Sequence, residues 1–398
     1  MCEDKSVMMS RRTLLAGGAS AALALPVLAK DMVDLRLPGG PSLRSLDPAF
    51  PGKGKLIVQR VHPPLLETPF SVFDQGVMTP NDQFYVRWHY PMPTEIKVTD
   101  FRLQVRGAVK APLSLALEEV VKSGEIIELA AVNQCAGNGR GQFVPRIPGA
   151  QWGPGAMGNA EWRGVRLRDL LDKAGLNADA KFVRFGGLDE PPVPDAPAYR
   201  KSVPIDIARR DDVMVAFAMN GEALPLLNGY PLRLVVPGWY ATYWVKMLSD
   251  IEVLTSEDDS FWMAKAYRMP TVPVKPGDKD FPTTPIGAMV PRAWITNHAD
   301  GDRIAAGKPI ELRGIAMGGD CGIAKVDVLI GDKILCATLG PDEGQYGFRR
   351  WSLTLPDAVG PIGPRCTNVK SVSQPLEQDW NPNGYARGGV EFISLVQA

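Results

Sequence analysis

A lone cysteine, Cys135, sits in the run Asn133-Gln134-Cys135-Ala136-Gly137-Asn138-Gly139-Arg140. Its small neighbours leave room beside the thiol, and Arg140, five residues on, draws negative charge towards it. These residue types suit a soft metal held through one thiolate and reached by a bulky cofactor and an anion. Upstream, Arg87-Trp88-His89 adds a guanidinium and an imidazole. Two arginines can offer paired N–H donors to an oxyanion in a geometry that lysine cannot reproduce. An isolated cysteine is most often a small buried hydrophobe, so the assignment rests on the residues around Cys135.

Chemistry of this kind needs rigid supports. Ile126 to Val132, Phe182 to Phe185, Leu232 to Val236 and Ile251 to Leu254 read as buried strands, which places Cys135 on a Gly-rich loop just past a strand end. Leu167, Leu170, Leu171 and Ala174 follow helical spacing, and Gly175 is the stop signal. Residues 30–84 are rich in Pro and Gly and weakly periodic, which predicts an extended arm over a later core. Between Met269 and Pro291 the prolines 270, 273, 276, 282, 285 and 291 allow neither helix nor central strand, which predicts a linker over 269–291. Beyond it, Ile310 to Leu312, then Val326, Val328 and Ile330, then Trp351, Leu353 and Leu355 alternate, with turns such as Gly331-Asp332. That pattern predicts an immunoglobulin-like β-sandwich over 292–398, without the Cys…Trp…Cys spacing of antibody domains. The expected fold class is α+β, with a mixed α/β domain at 85–268 preceding the sandwich.

A chain of 398 residues is too long for one ordinary core, and 45% hydrophobic residues exclude a disordered class. Lys plus Arg and Asp plus Glu both number 44, so no global field exists for nucleic acid or an acidic membrane, and anion recognition must be local. Residues 1–29 read as a targeting segment: Ser10-Arg11-Arg12-Thr13-Leu14-Leu15 opens an apolar stretch too short to span a bilayer. Adjacent arginines and the Val27-Leu28-Ala29 cleavage site indicate a twin-arginine export signal, with an ordinary Sec signal as the alternative. Export of a folded, cofactor-loaded protein to the periplasm is the expectation, with no membrane span. After cleavage Cys135, Cys321, Cys336 and Cys366 remain, with no CxxC pair and no zinc spacing. The last three are expected as buried free thiols, although Cys321 could pair with Cys336 or Cys366. No Cys-x-x-Cys-His is present, so no covalently attached haem is expected, and His62 and His298 default to structure.

Five ordered blocks carry a family resemblance: NQCAGNGR (133–140), Trp152, GNAEWRGVRLRDLL (158–171), AFAMNGEALP (216–225) and GYPLRLVVPGWYATYWVKML (229–248). Over roughly 300 residues the order and spacing resemble the sulfite oxidase family of molybdenum enzymes, including the sandwich which that family uses to dimerise. The resemblance implies that Cys135 binds molybdenum beside the two sulfurs of a pterin dithiolene. It places Arg87 and Arg140 in the substrate pocket, Trp152 as an aromatic wall, and Tyr267 near the metal oxygen, where it would assist proton-coupled electron flow. His89, Arg233 and Lys246 would hold the pterin and its phosphate, with Asp189 a looser match.

Departures from the animal enzymes accompany the likeness. Asn228 stands where they have His before GYPLR, and Trp88 where they carry Asn. Near the C-terminus Asn383 replaces an anion-binding arginine, with Arg387 four residues on as a possible substitute. No haem domain is expected, as in bacterial sulfite dehydrogenases that pass electrons to a separate cytochrome c. The resemblance thus implies a haem-free periplasmic sulfite dehydrogenase, a homodimer holding Mo-molybdopterin. Rival readings are a sulfane-sulfur dehydrogenase subunit, a sulfoxide or nitrate reductase on the same fold, and a binding module without metal.

Overall fold

A computed structural model describes residues 31–47, 50–356 and 360–397, so the expected export signal at 1–29 lies outside the described residues. Strands dominate, and the α-helices are short. The longest helix among the described residues, Leu167–Ala174, buries Leu167, Leu170, Leu171 and Ala174 completely and ends at Gly175, whose φ of 69° lies in the left-handed region. Each of those leucines contributes about 1.5–3 kcal/mol of burial.

Residues 30–84 were expected to run as an extended arm, yet most of the segment folds into an antiparallel meander. Its strands are Met32–Asp34, Leu43–Asp47, Leu56–Arg60 and Leu65–Glu67, with Val86–Arg87 closing the order. Strands this short leave no readable period, and cross-strand pairing rather than local propensity fixes them. Leu56, Leu66, Val86 and Trp88 pack from this sheet against Leu227 and Met247.

Two further sheets form the central body. One runs in the order Arg200–Pro204, Phe182–Gly187, Leu248–Leu254, Leu103–Gly107, Leu113–Leu115, with a parallel pair between Leu248–Leu254 and Leu103–Gly107. The other runs Glu222–Ala223, Met214–Met219, Met157–Arg166, Ile126–Gln134, with Arg233–Val235 also pairing to Met214–Met219. All four strands expected from hydrophobic runs are present, some extended by a few residues.

The Pro-rich stretch 269–291 contributes to a two-stranded hairpin, Arg268–Pro270 with Thr283–Pro285. Beyond it, sheets of order Arg292–Ile295, Ile310–Met317, Arg349–Leu355, Thr338–Leu339 and Lys333–Cys336, Ile323–Ile330, Pro361–Asn368, Ile393–Ser394 share one core. Leu312, Trp351 and Leu355 from the first meet Val326, Val328, Ile362 and Cys366 from the second. Cys321 and Cys366 are buried and free, but Cys336 is exposed, against expectation. It ends an edge strand whose four residues are all exposed.

Candidate cofactor and substrate site

Strand Ile126–Gln134 buries its last four residues and delivers the chain to Cys135. The Cys135 N–H donates to Ala156 O at 2.9 Å, and its carbonyl accepts the Asn138 N–H at 3.0 Å. Asn138 Oδ1 then accepts the Ala156 N–H at 2.9 Å, so the turn is bolted to the start of the neighbouring strand. Gly137 leaves room for the Arg140 guanidinium, whose Nη2 would lie 2.6 Å from a Cβ and would have to shift. Gly139 has a φ of 77°, which few other residues tolerate. The Cys135 side is further fixed through Glu67, a fully buried carboxylate that accepts N–H groups of Gly153 at 3.0 Å and Gly155 at 2.9 Å and the Gln59 amide at 2.8 Å. Burial pushes its carboxyl up to about 7 against the pull of those three donors.

Two cavities meet at the thiol. A narrow inner one is lined by Tyr85, Arg87, His89, Asn133, Cys135, Tyr199, Asn228, Arg233, Thr242, Trp244, Lys246 and Tyr267, among others. An outer mouth of about 390 Å³ is lined by Arg60, Leu65, Arg87, Cys135, Arg140, Trp152, Tyr267, Asn383 and Tyr385 with neighbouring loop residues. Arg87, Cys135 and Tyr267 belong to both. Thus Cys135, Arg87, His89, Asn228, Arg233, Lys246 and Tyr267 gather around the inner cavity, and Arg140 and Trp152 around the mouth.

Among the described residues no carboxylate pairs with the cations inside. Arg233 Nη1 donates to Asn228 O at 3.0 Å, its guanidinium lies 5.2 Å from the Trp162 ring, and its Nε is buried without a partner. Lys246 Nζ donates to Arg87 O at 2.8 Å above the Trp88 ring. Burial first, then Arg233, pushes the Lys246 ammonium down to about 7. Arg87 Nη1 and Asn133 Nδ2 are likewise buried and unpartnered. Asp189 lines neither cavity, but its charge bears on Lys246, and its own carboxyl is raised chiefly by burial. Such a chamber, with a thiol at one wall and orphaned donors and cations along it, fits an anionic, hydrogen-bonding organic group.

His89 Nε2 lies 2.5 Å from the Tyr267 hydroxyl, and its ring stacks on Tyr199 with centroids 3.9 Å apart. Burial, then Arg87, drives its pKa well down, so the imidazole is neutral and can accept the Tyr267 proton when Nδ1 carries the hydrogen. Burial likewise raises the Tyr267 phenol and keeps it protonated. Tyr385 stacks on Tyr267 at 5.1 Å and lies 5.2 Å from the Arg140 guanidinium, whose Nε donates to Asn383 O at 3.0 Å. Arg387 does not line either cavity and instead binds Glu391, so it does not take the place of an arginine at 383. Trp88 turns away, donating to Leu227 O at 3.1 Å within the N-terminal core.

Sequence reasoning missed Tyr85, Asn133, Tyr199, Thr242 and Lys53. Tyr85 was within reach, since Tyr85, Arg87 and His89 recur with a period of two and all face the inner cavity. Lys53 gave no signal, yet its ammonium donates to Asn81 O, Phe84 O and Asn228 Oδ1.

Cys135 is shared by a cation-walled chamber and an open basic mouth, an arrangement suited to an anionic cofactor held beside the thiol with an open approach. Residues 89–262 match the oxidoreductase molybdopterin binding domain. Mitochondrial sulfite oxidase of Macaca fascicularis is 32% identical over 309 residues, 74% of this chain and 56% of the relative. Sulfite oxidase of Arabidopsis thaliana is 31% identical over 315 residues, 73% of this chain and 77% of the relative. The crystal structure of the sulfane dehydrogenase SoxCD from Paracoccus pantotrophus superposes with a TM-score of 0.72 at 24% identity, covering 96% of this chain and 92% of that one. The chain belongs to the sulfite oxidase family of molybdenum enzymes. It spans little more than half the length of the primate relative.

Proposed function

We propose that the chain is a haem-free periplasmic sulfite dehydrogenase, which oxidises sulfite and water to sulfate, two protons and two electrons and delivers the electrons singly to a cytochrome c. The observation that carries this reading is the position of Cys135, whose thiol borders both the inner chamber and the basic mouth. Cys135 would ligate molybdenum, while Arg233, Lys246, Asn228, His89 and Asn133 would hold the pterin and its phosphate. When bound, that group supplies the two-electron oxidation and oxygen transfer that amino-acid side chains lack.

The chain's own residues bind, orient and shield. Arg87 and Arg140 set guanidinium donors around the anion and offset charge as it builds, a preorganised electrostatic role. Trp152, buried beside them, keeps one wall dry. The Tyr267 hydroxyl, kept protonated by burial and hydrogen-bonded to neutral His89, would hold a proton beside the site for transfer coupled to electron flow. The leader with Arg11 and Arg12 supports periplasmic export. Among the described residues no helix is long and apolar enough to cross a membrane. The C-terminal sandwich, read as immunoglobulin-like, would supply the homodimer surface.

A second reading, oxidation of sulfane sulfur carried on a partner's thiol, is favoured by the size of the outer mouth, about 390 Å³, which exceeds the needs of one sulfite ion. It is also the activity named for the SoxCD structure. Sulfite-dependent reduction of cytochrome c by the purified holoenzyme, with molybdenum quantified on the same sample, separates the two. Turnover with about one molybdenum per chain supports sulfite; full molybdenum without sulfite turnover removes it in favour of the sulfane substrate.

A further inference from the structure

Arg60 and Arg87 share one cross-strand row. Leu65 pairs with Arg60 on one side and with Arg87 on the other. Directly opposed residues of an antiparallel sheet project to the same face, and all three residues line the outer mouth. With neighbouring strands about 4.8 Å apart, the two arginines leave the backbone roughly 10 Å apart across an apolar floor made by Leu65. Arg140 joins them from the Cys135 loop.

Among the described residues no aspartate or glutamate lines this mouth. The hydrogen-bond partners that hold Arg60 and Arg140 are neutral: Arg60 Nε donates to Pro63 O at 3.2 Å, and Arg140 donates to Asn383 O at 3.0 Å and Ala150 O at 3.4 Å. Elsewhere in the molecule arginines face carboxylates, as Arg106 does with Asp250 and Arg184 with Glu252. Three guanidiniums around one opening, with no acid among the residues that line it, form a site for an ion of more than one negative charge. Among the described residues Arg60 is anchored only through Nε, which leaves both terminal nitrogens to present a paired donor edge at the rim. Its charge also bears on the buried imidazole of His89, so the row and the inner chamber feel one another.

We propose that Arg60 is a specificity-determining residue, the rim guanidinium of a three-arginine site for small dianionic oxyanions, sulfite entering and sulfate leaving. This rests on the sulfite reading above. Arg60 sets anion affinity and capture, and the electron steps proceed without it.

The test uses the holoenzyme. Arg60→Gln is expected to raise the sulfite KM and the competitive sulfate inhibition constant together by about fivefold, the size of one partly exposed ion pair. Turnover number and molybdenum content should stay within about twofold, with Arg60→Lys intermediate and a shallower ionic-strength dependence of kcat/KM. Calorimetry with sulfate on the oxidised holoenzyme reads the same loss without turnover. Arg87→Gln serves as reference. If Arg87→Gln weakens sulfate binding and Arg60→Gln does not, the role of Arg60 is wrong and the sulfite reading stands. If neither variant alters sulfate binding or KM, the mouth is no oxyanion site and both readings fall.

Discussion

Lys53 Nζ stands 2.6 Å from Oδ1 of Asn228, joining the N-terminal sheet region to the wall of the inner chamber. The contact settles the orientation of the amide: Oδ1 takes the ammonium, so Nδ2 becomes the donor, with Tyr85 O at 3.3 Å as its weak protein partner. One amide hydrogen is left for a ligand. Lys53 thereby returns positive charge to a wall where Asn228 brings none. Lys53→Met should reduce the pterin retained per chain after gel filtration, with an affinity loss of about tenfold, equal to about 1.4 kcal/mol. Unchanged pterin content in a folded Lys53→Met protein would contradict this role.

The buried lysines give the cofactor-free protein a distinctive pH dependence. Lys53, Lys201 and Lys246 are each pushed down to about 7, first of all by burial. In the unfolded chain lysine titrates near 10.4. Between about pH 7 and about pH 10 the unfolded state therefore holds more protons, so stability rises with pH across that window and falls as pH is lowered towards 7. An anion in the chamber restores the charged forms of the lysines beside it and flattens the slope. Urea unfolding at about pH 7.5 and about pH 9, with and without inorganic pyrophosphate, measures both effects; a flat profile in the absence of anion would refute it.

Tyr267→Phe removes the hydroxyl that His89 holds, leaving the aromatic stack on Tyr385 in place. The expected outcome is a fall in kcat of at least about tenfold with little change in sulfite KM, since the lost group moves a proton rather than binding the anion. A rise in KM at constant kcat would instead make Tyr267 a binding residue.

Glu67 holds the segment that follows Trp152. Glu67→Ala leaves the Gly153 and Gly155 N–H groups without their acceptor and opens a cavity. A loss of about 2–4 kcal/mol in denaturant unfolding is expected. Glu67→Gln should also destabilise the fold, because its NH₂ would face an N–H where the carboxylate accepts.

Local patterns made much of this legible. The helix closing at Gly175 and the strand feeding Cys135 are written in hydrophobic spacing within a dozen residues. The Cys135, Arg233 and Lys246 positions lie in ordered blocks, and Arg87 in the Arg87-Trp88-His89 triplet, none of which needs tertiary information. Lys53, Arg60 and Tyr199 were invisible because their roles arise from contacts between segments remote in sequence, as Lys53 with Asn228 and Tyr199 with Thr242. The N-terminal segment misled for the same reason, since three-residue strands acquire identity only from the register of their neighbours. Cys336 was expected buried by residue type, but an edge position overrides that preference.

X-ray absorption at the molybdenum edge, recorded on the parent holoenzyme and on Cys135→Ser, tests the thiolate assignment most directly. The serine variant should show one sulfur neighbour fewer around molybdenum, retain its pterin and lose sulfite turnover. Identical sulfur coordination in the two proteins, or turnover retained in Cys135→Ser, would contradict Cys135 as the metal ligand.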